Sequence, residues 1–383
     1  MDTFQKADIL AQSARYDVCY YPCIEGGRAM NPKDPIDRLI YPASLPDGRI
    51  TLLLKILLSN ACENNCFYCV NRKDRDFKRV SFQPEELAKL FINLYRSRLV
   101  HGLFLSSAIT SSVNQTMEGM IKTVEILRYK FRFPGYIHLK ILPGAKFSYV
   151  ERATQLADRV SLNLEAPSKE RLSSITKKDF EKDLLLRMRW IKRLISDGKV
   201  RSKTQTTQFV VGASCESDYE ILNTTEWLYK ENLLFRTYFS AFQPIINTPL
   251  ENHPPTPLLR EHRLYQVDFL LRRYGFQLNE IVFDKDQNLP LDLDPKMAWA
   301  LNHPERFPIE INSAEQEVLL KIPGIGKKTV DRIIKGRVKN RIRSYNELKR
   351  FGVILRRASP FILLNGKSPA IQLENPWRKA RGF

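Results

Sequence analysis

The sequence predicts an α/β protein built on a parallel sheet and followed by a small, basic, all-helical domain. Three features support this prediction. Six short apolar runs alternate with longer amphipathic ones after Thr51, a Pro-Gly-Ile-Gly turn joins two helical patterns near the C-terminus, and basic residues concentrate there. Successive strand–helix units favour parallel strands whose faces are covered by helices. Right-handed crossovers then give either an open doubly wound sheet or a barrel, and periodicity does not choose between them.

Each predicted strand is short and apolar, and each is followed by a pattern with helical spacing. The predicted strands cover residues 52–58, 102–106, 136–141, 159–163, 208–211 and 237–242. The predicted helices cover residues 84–99, 116–129, 148–156, 179–195, 217–230 and 257–274, and a further helix is expected at 4–15.

Four segments follow from these patterns. Residues 1–48 are expected to be an N-terminal extension, and residues 49–276 the sheet domain. Residues 277–312 are rich in Asp, Asn and Pro, which favours a linker with one short helix. Residues 313–383 are expected to form the small helical domain.

Composition indicates a soluble globular protein. Hydrophobic residues make up 43% and charged residues 27% of the 383 residues, which excludes a disordered chain, a collagen and a membrane bundle. No uncharged apolar run approaches the roughly 18 residues of a membrane span. The N-terminus carries Asp2 and Asp8 and lacks the apolar core of a signal peptide. These features predict a cytoplasmic protein with no membrane partner.

Charge is concentrated at the C-terminus. The chain carries a net charge of +19, and residues 311–383 contribute 17 Lys and Arg against 5 Asp and Glu, a net charge of +12. A small basic domain suggests a polyanionic partner, with nucleic acid favoured over a membrane surface. A solubilising charged surface is the alternative.

Three of the six cysteines fall within eight residues, as Cys62, Cys66 and Cys69, directly after the first predicted strand. Three thiolates from one loop can hold three irons of a cubane cluster and leave the fourth iron open to a substrate. A zinc site would want a fourth Cys or His nearby, and none follows. Zinc and three structural cysteines remain the alternatives. Cys19 and Cys23 are separated by three residues, as Cys62 and Cys66 are, but two cysteines alone cannot hold a second cluster. Their role is left open.

The C-x3-C-x2-C loop, with an aromatic residue before its last cysteine, resembles that of the radical S-adenosylmethionine (SAM) enzymes. The resemblance implies a partial (β/α)6 barrel, a [4Fe-4S] cluster on the three cysteines and SAM chelated to the open iron. It also implies reductive cleavage of SAM to a 5′-deoxyadenosyl radical, with an electron donor such as flavodoxin or ferredoxin.

The same resemblance assigns SAM contacts to strand ends and to the aromatic residue of the loop. The usual Gly-Gly-Glu pattern after the second strand is absent; Ser106 and Ser107 stand there. Each of the polar residues at a strand end could equally have an ordinary structural role. The cofactor-binding candidates are Tyr68 near the cluster and adenine, Ser106 and Ser107 for the amino group, Lys140 for the carboxylate, Ser161, Asn163 and Glu165 for the ribose, and Gln208 and Gly212 beside adenine.

No catalytic residue follows directly from the pattern. Cys215 is a candidate hydrogen-atom donor, because a cysteine has that role in spore photoproduct lyases. His138, within the third predicted strand, is a second candidate, although packing in the strand is its simpler role.

The C-terminal segment Ile322-Pro323-Gly324-Ile325-Gly326-Lys327-Lys328 joins two short helical patterns. Free N–H groups at the start of the second helix can bind phosphate without reading bases. The segment resembles the helix-hairpin-helix motif of DNA repair and recombination proteins. It predicts DNA binding by Gly324, Ile325, Gly326, Lys327 and Lys328. A protein-docking hairpin is the alternative.

Together, the two motifs resemble a group of radical SAM proteins named for DNA modification or repair and related to spore photoproduct lyase. Further matching segments are residues 54–58, 69–72, 135–140 and 258–266. The resemblance implies radical chemistry on a DNA nucleotide, and a uracil-DNA-glycosylase-like protein as a partner. An RNA-modifying radical SAM enzyme and a non-catalytic iron–sulfur redox sensor that binds DNA remain the alternatives. The sequence does not identify the base or lesion.

Overall fold

The computed structural model describes residues 2–14, 37–44 and 50–369. A seven-stranded sheet runs in simple chain order, and its last six strands are parallel. It confirms the predicted partial (β/α)6 barrel, with one additional antiparallel strand at its edge. The strands are β1 (Ile40–Ser44), β2 (Ile50–Leu57), β3 (Gly102–Ser106), β4 (Tyr136–Lys140), β5 (Arg159–Ser161), β6 (Thr204–Val211) and β7 (Arg236–Ala241).

Helices follow the parallel strands. After α1 (Thr3–Ala14), they are α2 (Pro84–Arg96), α3 (Val113–Glu125), α4 (Phe147–Leu156), α5 (Lys169–Ser173), α6 (Leu186–Ser196) and α7 (Asp218–Lys230). A π-helical turn, Ile126–Lys130, extends α3, and another, Phe180–Leu185, leads into α6. The helices α2, α3, α4 and α6 each pack against the next, so they form one layer.

The two faces of the sheet differ in chemistry. Leu103 and Leu105 of β3 are fully buried, as are Ile137 and Leu139 of β4. The residues between them, such as Phe104, point to the opposite face, because side chains alternate along a strand. The apolar face therefore forms the core beneath the helices, and the opposite face carries most of the polar side chains.

The edge strand β1 was not expected, because residues 1–48 were predicted to be an extension. It pairs antiparallel with β2, with Ile40 opposite Leu54. The strand contains Pro42, which the sequence pattern treats as a strand breaker. An edge strand tolerates proline, since one side of its backbone needs no partner.

The chain divides into two compact units. The first contains the described residues up to Glu216 together with Trp227–Pro257, and the second contains Ser217–Glu226 and the described residues from Leu258 onward. Helix α8 (Leu258–Arg273) therefore groups with the C-terminal unit, whereas the sequence suggested a boundary near residue 276. None of the described helices is long and apolar enough to cross a membrane.

The segment expected to be a linker, residues 277–312, is packed. It contains α9 (Pro295–Asn302), where Trp299 is 2% exposed. The Trp299 ring meets Phe276 edge-on, with 5.4 Å between the ring centroids. The Asp, Asn and Pro residues of this segment therefore belong to tight turns between buried side chains and not to an extended linker.

The basic C-terminal segment is predominantly helical, as predicted, with a short parallel pair of strands in addition. Its elements are β8 (Ile309–Glu310), α10 (Gln316–Lys321), α11 (Lys327–Lys339), α12 (Tyr345–Phe351), α13 (Leu355–Ala358) and β9 (Ile362–Leu363). The turn between α10 and α11 packs on the turn between α12 and α13. The Ile354 N–H donates to the Gly324 carbonyl at 3.0 Å.

Substituting Gly324→Ala should destabilise the protein strongly. Gly324 has φ of +81°, and a Cβ there would lie 2.8 Å from the Ile354 carbonyl oxygen. Gly366→Ala is the matched control, since Gly366 has φ of +76° and no atom within 4 Å of its Cβ position. Urea denaturation should show a loss of about 2–5 kcal/mol for Gly324→Ala and about 1–2 kcal/mol for Gly366→Ala. Equal losses would mean that backbone strain alone, and not turn packing, requires Gly324.

Candidate functional site

The cysteine loop begins directly after β2 and is anchored by a buried asparagine. Asn60 is fully buried, and its side-chain oxygen accepts from the Val80 N–H at 2.7 Å while its amide donates to the Lys78 carbonyl at 3.1 Å. Further along, the Phe67 N–H donates to the Ile175 carbonyl at 2.9 Å. The loop conformation is therefore fixed by hydrogen bonds to two distant segments of the chain.

Each of the three thiols has a polar neighbour. The Asn64 N–H donates to the Cys62 Sγ and the Asn71 N–H donates to the Cys69 Sγ, both at 3.4 Å. The Cys66 Sγ is buried and lies 3.1 Å from the Thr176 hydroxyl. Hydrogen bonds to sulfur stabilise thiolates and tune iron–sulfur centres.

The thiols lie close enough to influence one another. The pKa of Cys69 is raised to about 12, chiefly by burial and also by the nearby Cys66 and Cys62, although the Asn71 N–H and Lys178 act to lower it. Three thiolates in this buried setting repel one another. They need a compensating positive charge, which protons or bound metal can supply.

A lysine that the sequence analysis did not single out stands beside the thiols. Burial lowers the pKa of Lys178, but Cys66, Glu165 and the other two thiols outweigh burial and hold that pKa above its usual value. Thr176 and Lys178 belong to the segment that receives the Phe67 N–H. No spacing links this segment to the cysteine loop, so the sequence carries no signal for it.

Two predicted cofactor residues meet at the thiols. Burial raises the pKa of Tyr68 well above its usual value, and the negative charges of Glu165 and Cys66 add to this effect. The Tyr68 side chain also hydrogen-bonds Glu165. The structure therefore brings Tyr68, Glu165 and the three cysteines together.

The donor set fits an iron–sulfur cluster. Three sulfur ligands, amide and hydroxyl hydrogen bonds to sulfur, and one nearby cation form the surroundings that such clusters have in proteins. Across the described ranges, no three His, Cys, Asp or Glu side chains converge on a single metal position. A cubane cluster requires no such convergence, because each thiolate binds a different iron.

Three of the other predicted site residues, His138, Ser161 and Ser107, have hydrogen-bond partners within the chain. The His138 Nε2 is 2.9 Å from the Ser161 Oγ, and the His138 ring packs against Phe104. The Ser107 hydroxyl donates to the Ala108 carbonyl at 2.7 Å. Ser106, Asn163 and Gln208 are buried and Lys140 is half-buried, and their roles toward SAM stay predictions.

Glu165 does not continue the simple alternation that was expected from Ser161. Strand β5 ends at Ser161, and Glu165 has φ of +66° and bridges to Phe209. This left-handed residue redirects the chain, because a regular strand would keep φ negative.

The segment after β6 forms a tight loop around a carboxylate. Gly212 has φ of +89°, and its N–H donates to Glu216. The Ser214 hydroxyl donates to the same carboxylate at 2.6 Å. Cys215 is exposed, with φ of +55°. Cys19 and Cys23 lie outside the described residues.

A second candidate site is the turn before α11. Ile325 is buried, and its carbonyl accepts from the Lys296 Nζ at 2.6 Å. Gly326 caps α11, and its carbonyl accepts the Val330 N–H at 2.9 Å. Lys327 and Lys328 are exposed in the first turn, where helical N–H groups have no intrahelical partner. The turn thus combines a positive helix end with two lysines.

Comparisons with known proteins give structural matches only. No protein-family model matches the chain, and no match was found among the curated proteins. One structural match is methylornithine synthase (PylB), at 16% identity over 84% of this chain and 73% of that chain, with a TM-score of 0.45. Another is the FeFe-hydrogenase maturase HydG from Carboxydothermus hydrogenoformans, at 16% identity over 57% of this chain, with a TM-score of 0.46.

A third match is the radical SAM methyltransferase TsrM from Kitasatospora setae, whose structure holds cobalamin and a [4Fe-4S] cluster. It is 14% identical over 51% of this chain and 38% of that chain, with a TM-score of 0.40. The chain spans about half of the length of HydG, 51%. Similarity at this level does not identify a reaction, so the functional assignment depends on the residues of the chain itself.

Proposed function

We propose that this chain is a radical SAM enzyme that binds DNA and modifies or repairs a nucleotide. The observation that carries the proposal is the cysteine loop at the end of the first parallel strand. Its three thiols lie together, and each has an amide or hydroxyl neighbour suited to a metal-bound sulfur. Cys62, Cys66 and Cys69 would hold the [4Fe-4S] cluster, and SAM would bind beside it.

When bound, the cluster supplies the electron that cleaves SAM to methionine and a 5′-deoxyadenosyl radical. The residues of the chain bind and shield these groups. Tyr68 would pack beside SAM, and Glu165, hydrogen-bonded to Tyr68, would orient that ring. Lys178 would offset the negative charge of the thiolates. Ser106, Ser107, Lys140, Ser161, Asn163, Glu165, Gln208 and Gly212 remain the proposed SAM contacts.

The DNA part of the proposal is supported by the turn before α11. Its buried Ile325, exposed lysines and positive helix end suit a phosphate backbone. A base inside a duplex is out of reach of a shielded radical, so the target nucleotide would be flipped out or already unpaired. A flavodoxin or ferredoxin would supply the electron. A uracil-DNA-glycosylase-like partner and a cytoplasmic location rest on the sequence alone.

The test is 5′-deoxyadenosine formation by anaerobically reconstituted protein with dithionite and SAM, with and without duplex DNA. We expect formation that rises when DNA is added. Formation indifferent to DNA would contradict the DNA substrate, and RNA would be tested next. No formation from protein shown to hold its cluster would contradict the enzyme and favour a redox sensor.

Substituting Lys178→Gln should make the cluster harder to reduce. Removing a cation near the thiols destabilises the more negative, reduced cluster, so the reduction potential should fall by an amount on the order of tens of millivolts. The neighbouring Lys177, which is exposed, gives the matched control Lys177→Gln. Potentiometry followed by electron paramagnetic resonance measures the effect. Lys178→Arg should restore the potential, and equal shifts for both glutamine variants would contradict a specific role.

A further inference from the structure

The polar face of the seven-stranded sheet carries a continuous row of functional side chains in the first unit. Lys55 of β2 is in register with Phe104 of β3, which is opposite His138 of β4, which is opposite Arg159 of β5. The side chains confirm this shared face. The Lys55 Nζ lies 5.2 Å from the centre of the Phe104 ring, and the Phe104 and His138 ring centres are 4.4 Å apart.

A second row follows one step further along the strands. Lys140 of β4 is opposite Ser161, Ser161 is opposite Thr206 of β6, and Thr206 is opposite Arg236 of β7. The His138–Ser161 hydrogen bond joins the two rows. Four cations, on β2, β4, β5 and β7, therefore share one face across six neighbouring strands.

Acidic residues are almost absent from this face. By strand alternation, none of the described residues of β2–β7 that point this way is Asp or Glu. Asp158, which precedes Arg159 in the chain, is paired with Arg128 and Arg201. Glu165 lies with Tyr68 and the thiols.

Of the four cations on this face, Arg159 is the one whose contacts best suit anion binding. Its Nε donates to the Thr204 hydroxyl at 3.0 Å, and its guanidinium lies 5.4 Å from the centre of the Phe235 ring. Among the described residues it forms no ion pair, and it is half-buried. A half-buried arginine held by a hydroxyl and a ring keeps most of its N–H groups for an anion.

Aromatic rings lie beside the cations. Arg236 lies over the Tyr238 ring at 4.8 Å. Tyr136 is two residues before His138, which is opposite Arg159, and Tyr238 is two residues after Arg236, so both tyrosines lie on this face by strand alternation. Burial is the main reason that the pKa of Tyr136 is raised to about 12; Tyr238 and Asp158 also raise it, and Arg159 lowers it. Cations interleaved with aromatic rings bind nucleotides, because the cations attract phosphate and the rings stack on bases.

We propose that this polar face binds a nucleotide, with Arg159 as the phosphate ligand and the tyrosines beside it as the stacking surface for the base. The proposal goes beyond the function proposed above. Tyr136, Arg159 and Arg236 begin β4, β5 and β7, whereas the cysteine loop follows the end of β2, so the nucleotide site lies at the opposite edge of the parallel sheet. The phosphate can come from a free nucleotide or from one residue of a strand, since the chemistry of both is the same.

The experiment compares binding of the four 2′-deoxynucleoside 5′-monophosphates with that of the corresponding nucleosides. Isothermal titration calorimetry is done with the full chain carrying Lys327→Glu and Lys328→Glu, so that the basic turn contributes little. We expect at least one monophosphate to bind about tenfold more tightly than its nucleoside. Arg159→Gln should remove that difference. Arg189→Gln is the matched control, because Arg189 is an exposed arginine on α6 with a 52% exposed side chain.

Arg159→Lys keeps the positive charge and should retain part of the phosphate preference, which protects the result against a misfolded variant. A trinucleotide that binds more tightly than every monophosphate would identify a strand as the phosphate source. Equal binding of nucleotide and nucleoside, no binding of any probe, or an unaltered preference in Arg159→Gln would overturn the proposal.

Failure of this proposal is distinguishable from failure of the proposed function. If DNA stimulates 5′-deoxyadenosine formation but the phosphate preference does not depend on Arg159, the proposed function is supported and the proposed nucleotide site is wrong. If nucleotides bind through Arg159 but SAM is never cleaved, the face is a nucleotide site in a protein without radical chemistry.

Discussion

Substituting Cys66→Ala should reduce iron binding strongly and abolish 5′-deoxyadenosine formation. Cys66 is the most enclosed of the three thiols, and it lies beside the Thr176 hydroxyl. A cluster held by only two thiolates loses a third of its protein ligands, and two irons would then lack one. Iron analysis, visible absorption and electron paramagnetic resonance measure cluster content, and chromatography of the reaction with SAM measures the product.

The control for this substitution is Cys215→Ala. Cys215 is exposed and lies outside the loop, so cluster content should stay at the level of the unaltered protein. Affinity for DNA should also stay within about twofold in Cys66→Ala, since the cysteine loop and the basic turn belong to different compact units. Full iron content in Cys66→Ala would refute the ligand assignment, and a matched loss of DNA affinity would show that the two activities are not separable.

The parallel part of the fold was predictable because its signals are local. Each strand from β2 to β7 contains a short apolar run that predicts it, and helical spacing predicts the helices that follow. The polar start of β6, residues 204–207, lies outside the run predicted at 208–211. Strand β1 depends instead on pairing with β2 and contains Pro42, so its own residues do not indicate a strand. The packing of residues 277–312 around Trp299 likewise depends on partners distant in sequence.

Local sequence likewise predicts one part of the candidate site and not the other. The three cysteines and Tyr68 lie within eight residues, so one motif identifies them. Thr176 is 110 residues from Cys66, and no spacing rule predicts their contact. Glu165 was selected as a ribose contact by strand alternation. The ribose contact stays a prediction; the structure adds a hydrogen bond between Glu165 and Tyr68, which no spacing indicates. Sequence patterns therefore identify ligands that lie on one loop. The residues that surround those ligands come from distant parts of the chain, so only the folded structure identifies them.

Reversing two charges at the basic turn should weaken DNA binding for all sequences alike. In Lys327→Glu with Lys328→Glu, both exposed lysines of the first turn of α11 become acidic, next to N–H groups that would otherwise face phosphate. A contact to the phosphate backbone carries no base information, so specificity should not change. Loss of two phosphate contacts should lower the slope of log affinity against log salt by about 2. Fluorescence anisotropy at several salt concentrations measures both quantities.

The matched control applies the same change in net charge elsewhere. Lys199 and Lys203 are exposed residues of the first unit that precede β6. The double substitution Lys199→Glu with Lys203→Glu lowers the net charge by the same amount. If the basic turn binds the backbone, the control should retain most of the affinity and the salt slope. Equal losses would mean that overall charge, rather than the turn, attracts DNA. An unchanged affinity at the turn would remove the DNA-binding role, because the remaining features of the turn, its buried Ile325 and its glycines, serve a hairpin of any function equally well.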